Sequence, residues 1–226
     1  PGDTINTGTG EFSFFETKQN IQLNIPKKYS DKRIDFNKFL EKNKTLSLII
    51  IRNDSILYEN YFSGYNKKMI HPTFSVTKVF VTALTGIAFK EGYINSVNQP
   101  VTDFLVELND PRFSKVTISN LLNMRSGIGF SESYTKTKKK MAKYYYGKNL
   151  EKYTYKLKVR KKPGSEYKYQ SANTQLLSFV IEKATGTPIS LYLEEKIWKP
   201  LGMSHYASWS YDSKENKNIK AFCCLN

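Results

Sequence analysis

Ser75 and Lys78 stand three residues apart in Phe74-Ser75-Val76-Thr77-Lys78. On a helix that spacing puts both side chains on one face, about one turn from each other. A hydroxyl and an amine so placed can meet without help from the rest of the fold. Serine is a poor nucleophile near neutrality and needs a base; a lysine shielded from water can shed its proton and serve. The spacing alone discriminates weakly, because it recurs at Ser133/Lys136 and Ser165/Lys168. Context separates the three. Only Ser75 opens a long apolar stripe at helical spacing (Val76, Val79, Phe80, Ala83, Leu84, Ile87); the others sit in Lys-rich or Pro/Gly-flanked sequence. A second candidate stretch is Tyr169-Gln170-Ser171. A phenol beside a Ser/Lys pair can relay a proton, because a nearby cation lowers its pKa. Tyr169 would be that relay, and Ser171 could turn its hydroxyl to the same pocket. As one Tyr-x-Ser among 16 tyrosines, the stretch gains its weight from lying downstream of Ser75.

Positioning these groups requires a frame. Leu46–Ile51 and Ile56–Phe62 are apolar, β-branched runs joined at Arg52-Asn53-Asp54-Ser55, a hairpin signal. Asp35–Lys42 is a short helix candidate, and the Ser75 helix should run to about Phe89 and stop at Glu91-Gly92. A short helix is expected within Asn98–Leu108. Thr117 reads as an N-cap for Ile118–Met124, closed by Gly127. After a basic stretch, Lys162-Pro163-Gly164 is a turn, Gln175–Thr185 a helix ending at Gly186, and Pro188–Trp198 another. Pro1–Gly10 reads as a loosely ordered lead-in, and Phe12–Tyr29 has no clean period. After Met203 the chain is largely polar as far as Ala221-Phe222-Cys223-Cys224-Leu225, so the hairpin finds no strong strand partner.

Composition excludes several classes. At 226 residues, 39% hydrophobic, the chain can bury a real core. No run of about 18 apolar residues exists, so no stretch reads as a membrane-spanning helix. His71 and His205 cannot make a metal cluster, and neither has the context of a triad histidine. Adjacent Cys223 and Cys224 are not expected to pair with each other and lack metal-ligand spacing, so the redox compartment stays open. The net charge of +15 raises nucleic acid as a partner. Against it stands a general bias toward Lys, Asn, Ile and Tyr. The excess clusters at 135–148 and 152–162, which read as solvated, partly helical surface. Attraction to an anionic envelope surface is the main alternative, and no nucleic-acid partner is expected.

Taken together, several stretches resemble the serine hydrolases of the β-lactamase-related superfamily: class C β-lactamases, penicillin-binding DD-peptidases and their esterase relatives. They are Leu57–Phe62, Phe74–Lys78, Leu121–Ile128, Tyr169–Ser171, Glu182–Gly186 and Trp198–Met203, in that order. The 6-aminohexanoate-dimer hydrolase branch is the nearest in type. The resemblance covers residues 45–226 as a catalytic domain, with 1–44 as a lead-in. It implies an α/β (α+β) fold, an antiparallel sheet flanked by helices with a mostly helical lobe inserted after the Ser75 helix. It also implies acyl transfer to water on a small-molecule amide or ester, with no metal or cofactor. Ser75 would be the acylated nucleophile, Lys78 its base and Tyr169 the proton relay. Ser171 would contact substrate where many relatives carry Asn in a Tyr-x-Asn element. Tyr134 lies where the aminohexanoate-type enzymes place a substrate-contacting Tyr on a mobile loop; a surface aromatic is the equal alternative. A bacterial periplasmic or envelope location is expected, with the cytoplasm as alternative. A catalytically silent penicillin-binding-like sensor is the second functional reading.

One departure from the pattern matters. Lys183-Ala184-Thr185-Gly186 looks like the Lys-Thr-Gly element of such enzymes but ends a helix, so it is set aside. The strand that normally carries that third motif, and one oxyanion donor besides the Ser75 amide, has no counterpart before Asn226. The expectation is therefore a catalytic domain whose C-terminal strands lie beyond this sequence, leaving the hairpin with an apolar edge.

Overall fold

In a computed structural model describing residues 1–10, 12–16, 35–134 and 140–226, the chain is mixed α/β. Its elements run β1 (Gly2–Ile5), β2 (Phe15–Glu16), α1 (Phe36–Lys42), β3 (Ser47–Arg52), β4 (Ser55–Tyr61) and α2 (Thr77–Lys90). Then come α3 (Ile118–Leu122), α4 (Lys140–Tyr146), α5 (Leu150–Tyr155), α6 (Ser171–Thr185), α7 (Ile189–Leu193) and β5 (Ala207–Ser210). Two compact units result, Phe12–His71 and a larger one made of Pro1–Glu11 with Pro72–Asn226.

In the smaller unit, Asn53 and Asp54 both adopt left-handed backbone, φ 50° and 55°. That is the two-residue turn whose twist matches paired strands, and it sets β3 antiparallel to β4. The expected lone hairpin is corrected by one strand: β2 pairs parallel with β4, giving the order β2-β4-β3. The Phe15 amide donates to Asp54 O at 2.8 Å. Two residues carry too little pattern for sequence reasoning to find such a strand, and most of the aperiodic stretch 12–29 lies outside the described residues. Asp35 caps α1 through its side chain, as its residue type predicts.

The larger unit is built on α2 packed against α6. Here the loosely ordered lead-in is corrected. Gly2–Ile5 pairs antiparallel with Ala207–Ser210, and Ile5 is fully buried. Gly2 permits the approach, since a Cβ there would lie 2.8 Å from Trp209 O. The partner strand β5 was masked by its polar flanks, although Ala207 and Trp209 alternate inward with period two. Helix α6 begins at Ser171, four residues before the apolar periodicity does. Ser171, Asn173, Thr174 and Gln175 are all buried, so the polar letters hid an interior turn. Thr117 and Asn120 form a reciprocal capping box for α3, which ends at Leu122, ahead of Met124 and Gly127 at φ 55° and 71°. Only a 3₁₀ turn, Val101–Asp103, occupies the helix expected within 98–108. The helix expected over 188–198 splits into α7 and a π turn, Glu194–Trp198. Cys223 and Cys224 are joined to each other, contrary to expectation, in a turn where Cys224 takes φ 73°.

Glu182 gives this unit a pH dependence. Its Oε1 accepts the Ile189 amide at 3.0 Å at the start of α7. Burial, with smaller contributions from Asp3 and Glu151, pushes its carboxyl up to about 7, against the pull of the Ile189 hydrogen bond and Lys183. A raised carboxyl favours the folded state while protonated, so its contribution is full below the unfolded value and fades as pH rises through about 7. Glu182→Gln keeps an acceptor for Ile189 and removes the titration. By linkage it should stabilise the protein by about 2 kcal/mol more at pH 8 than at pH 5. Thermal melts should show a difference of about 5 °C between the two pH values; equal shifts would contradict the assignment.

Candidate active site

The polypeptide turns into α2 through a 3₁₀ turn, Phe74–Val76, that carries Ser75. Phe74 sits at φ 46°, in a region that disfavours bulky residues, typically by 1–3 kcal/mol, roughly. Thr73 holds this turn at its entrance. Its amide and hydroxyl both donate to Leu225 O at 2.9 Å, and its Oγ1 lies 2.8 Å from Thr77 Oγ1. One turn on, Lys78 is buried, 8% exposed. Its Nζ lies 3.1 Å from Ser75 Oγ and donates to Phe222 O at 2.6 Å. The ring of Tyr169 faces the same amine, with its centroid 5.2 Å from Nζ. Thus Ser75, Lys78 and Tyr169, distant in sequence, converge.

Ser75 opens onto a cavity of about 730 Å³ whose walls include Phe74, Tyr134, Met141, Tyr145 and Tyr146. Tyr134 is therefore a wall of this cavity. Its hydroxyl donates to Glu132 Oε1 at 3.2 Å. Burial first, then the Glu132 charge, pushes its phenol up to about 12, so it stays a donor at neutral pH. Ser171 is placed differently from expectation. It is almost fully buried, its hydroxyl donates to Glu132 Oε1, and its amide donates to Glu132 Oε2 at 3.0 Å. Its hydroxyl thus faces the Glu132 carboxylate, where the sequence led one to expect a face toward the substrate pocket. Among the described residues, no group of three His, Cys, Asp or Glu side chains converges as a metal site.

Two participants escaped sequence reasoning. Phe222 acts through its main-chain carbonyl, which leaves no side-chain signal. Glu132 does leave one: it is the sole acidic residue between Asp110 and Glu151, in a strongly basic stretch. It links the Tyr134 segment to the first residue of α6, two positions after Tyr169. An anionic side chain there also meets the positive end of the helix.

A beta-lactamase family profile matches residues 36–219. The chain belongs to the beta-lactamase family. It is 26% identical over 188 residues to the 6-aminohexanoate-dimer hydrolase of Paenarthrobacter ureafaciens, covering 79% of this chain and 48% of that protein. Over 43 residues it is 44% identical to a putative D-alanyl-D-alanine carboxypeptidase of Escherichia coli K12, which is 19% of this chain and 10% of that one. Among solved structures, a putative 6-aminohexanoate-dimer hydrolase from Bacillus anthracis superposes with a TM-score of 0.84 at 22% identity, covering all of this chain and 62% of that one. A penicillin-binding protein from Bacillus halodurans gives 0.64 at 17% identity, over 84% of this chain and 69% of that one. These two likenesses establish the fold. The chain spans about half the length of the first of these relatives, 48%.

In this family member Glu132 can be tested apart from turnover. Glu132→Ala removes the acceptor of the Ser171 amide, so hydrogen exchange at that amide should accelerate at least about ten-fold, the equivalent of one lost hydrogen bond. Glu132→Gln should restore most of the protection. Unchanged exchange in the alanine variant would contradict the role of Glu132 at the start of α6.

Proposed function

We propose that the chain is a serine hydrolase that cleaves an amide or ester through an acyl-enzyme on Ser75. The observation that carries this is the buried Lys78 amine 3.1 Å from Ser75 Oγ at the wall of an open cavity. In its neutral form Lys78 keeps one N–H on Phe222 O and turns its lone pair to the Ser75 hydroxyl. It takes that proton as Oγ attacks the substrate carbonyl. The ammonium that forms lies over the face of Tyr169, which favours a cation. The developing oxyanion would be met by the Ser75 amide. Tyr169 then gives its phenolic proton to the departing amine or alcohol and takes one back from the Lys78 ammonium. In the second half Lys78 accepts a proton from the attacking water and returns it to Ser75 Oγ as the acid product leaves. The aromatic walls suit an apolar acyl portion, in keeping with the amide substrate named for the aminohexanoate-dimer relative.

A fluorophosphonate or β-lactam probe should modify Ser75 stoichiometrically, read by intact-mass spectrometry, and Ser75→Ala should abolish the adduct. Labelling at Ser133 or Ser165 instead would overturn the assignment. An adduct that forms and never turns over would favour the sensor reading.

Lys78→Ala should slow acylation by about 10³-fold with little change in probe affinity, because the base acts in the transition state. Tyr169→Phe keeps the ring face and removes the relay, so it should cost about 10²-fold. Rates near those of the unaltered protein in both variants, from stopped-flow acylation, would remove them from the mechanism.

A further inference from the structure

A second cavity, of about 310 Å³, is ringed by five cations, Arg112, Lys115, Arg160, Lys161 and Lys162, and no carboxylate lines it. Arg112 is turned to Asp110 and Lys161 to Glu166, each at 2.8 Å. Lys115, Arg160 and Lys162 have no ion-pair partner among the described residues. Like charges held around a concavity raise its potential and draw in an anion.

The concavity is built into the backbone. Asp110, buried, accepts Arg112 Nε and Nη2 on one side and the Val159 amide, at 2.9 Å, on the other. The Arg160 and Lys161 amides both donate to Gly127 O, at 2.8 and 3.1 Å. Gly127, at φ 71°, makes that approach possible: a Cβ would lie 2.3 Å from Lys161 O. At Gly129 a Cβ would lie 2.5 Å from Arg160 Cγ. Two residues without side chains thus seat the cationic segment 158–162 in place. The positive field also extends past the notch. Burial, joined by Arg160 and Lys168, holds the Lys140 amine below its ordinary range.

We propose that this notch is a binding site for adjacent phosphate groups on a multivalent anion. A phosphate offers three acceptor oxygens that cations can meet from several sides, whereas a carboxylate offers two in one plane. A volume of about 310 Å³ admits more than one such group. The site is separate from the Ser75 cavity and does not rest on acyl transfer.

The test is calorimetric titration of the whole chain with inorganic tripolyphosphate. Lys115→Gln/Lys162→Gln removes two exposed cations of the notch. Lys90→Gln/Lys214→Gln removes two exposed lysines elsewhere, so both variants lose the same net charge. The notch pair should lose at least ten-fold in affinity and the control pair less than two-fold. Equal losses, or none in the notch pair, would overturn the site. Binding of tricarballylate as tight as tripolyphosphate would overturn the phosphate assignment. Phosphatidylglycerol vesicles and a single-stranded oligothymidylate then separate the sources. Selective loss by the notch pair on vesicles supports a lipid headgroup, and on the oligonucleotide a nucleic-acid backbone. Heat of binding is read without Ser75 labelling, so the two readings fail independently.

Discussion

The hydrogen bond from Lys78 Nζ to Phe222 O, 2.6 Å long and spanning 144 residues of sequence, is the constraint on which the site depends. It satisfies one N–H of a buried amine and so orients the rest of that amine toward Ser75. A buried amine without an acceptor would incur a penalty of several kcal/mol, roughly. The same segment returns to the start of α2 through the Thr73 amide and hydroxyl on Leu225 O. The geometry of the Ser/Lys pair is therefore set as much by residues 219–225 as by the helix that carries it.

What holds that segment is a set of buried polar groups. Gln175, on the inner face of α6, donates to Ile219 O at 2.9 Å and accepts the Ala221 amide at 3.1 Å. Trp209, fully buried, donates to Lys220 O and Cys223 O. On the same helix, Asn173 meets Ser126 and Ser171 meets Glu132, which fix the 126–132 segment in the same way. Each such group must find a partner or leave a desolvated dipole unsatisfied. A core of Leu and Val alone would accept several registers of the 219–225 segment. A core with these directional groups accepts far fewer.

This explains what was legible beforehand. Ser75, Lys78 and the helix they open could be read because apolar periodicity and i, i+3 spacing are local. The Asn53–Asp54 turn and the Thr117 cap were readable for the same reason. Tyr169 came from order along the chain, and the structure brings its ring to Lys78. The Glu132 partner of Ser171 was not legible, because a hydroxyl in sequence carries no sign of whether it faces a cavity or a carboxylate. The start of α6 was misplaced for a related reason: Asn173 and Gln175 look solvent-facing until their partners, 47 and 44 residues away, are seen. Phe222 O could not be found, since any residue supplies a carbonyl. Strand β1 was missed because its pairing partner lies some 200 residues later, and no local pattern encodes that.

Charge divides along the same lines. The basic excess looked like a uniform solvated face, and by composition alone it was one. In three dimensions Glu132, the sole acid between Asp110 and Glu151, lies near the site, where it accepts from Tyr134 and from the first amide of α6. The cations of 158–162 are drawn the other way, by Gly127 O and by Asp110 through the Val159 amide. Both arrangements start from the short segment 126–132, whose glycines let it lie against residues 158–161 while Ile128 O and Phe130 O accept Gln170 Nε2. Gln170 is the residue between Tyr169 and Ser171. A single stretch of backbone, 126–132, thus lies between the cations of 158–162 and the residue that follows Tyr169, with hydrogen bonds to both.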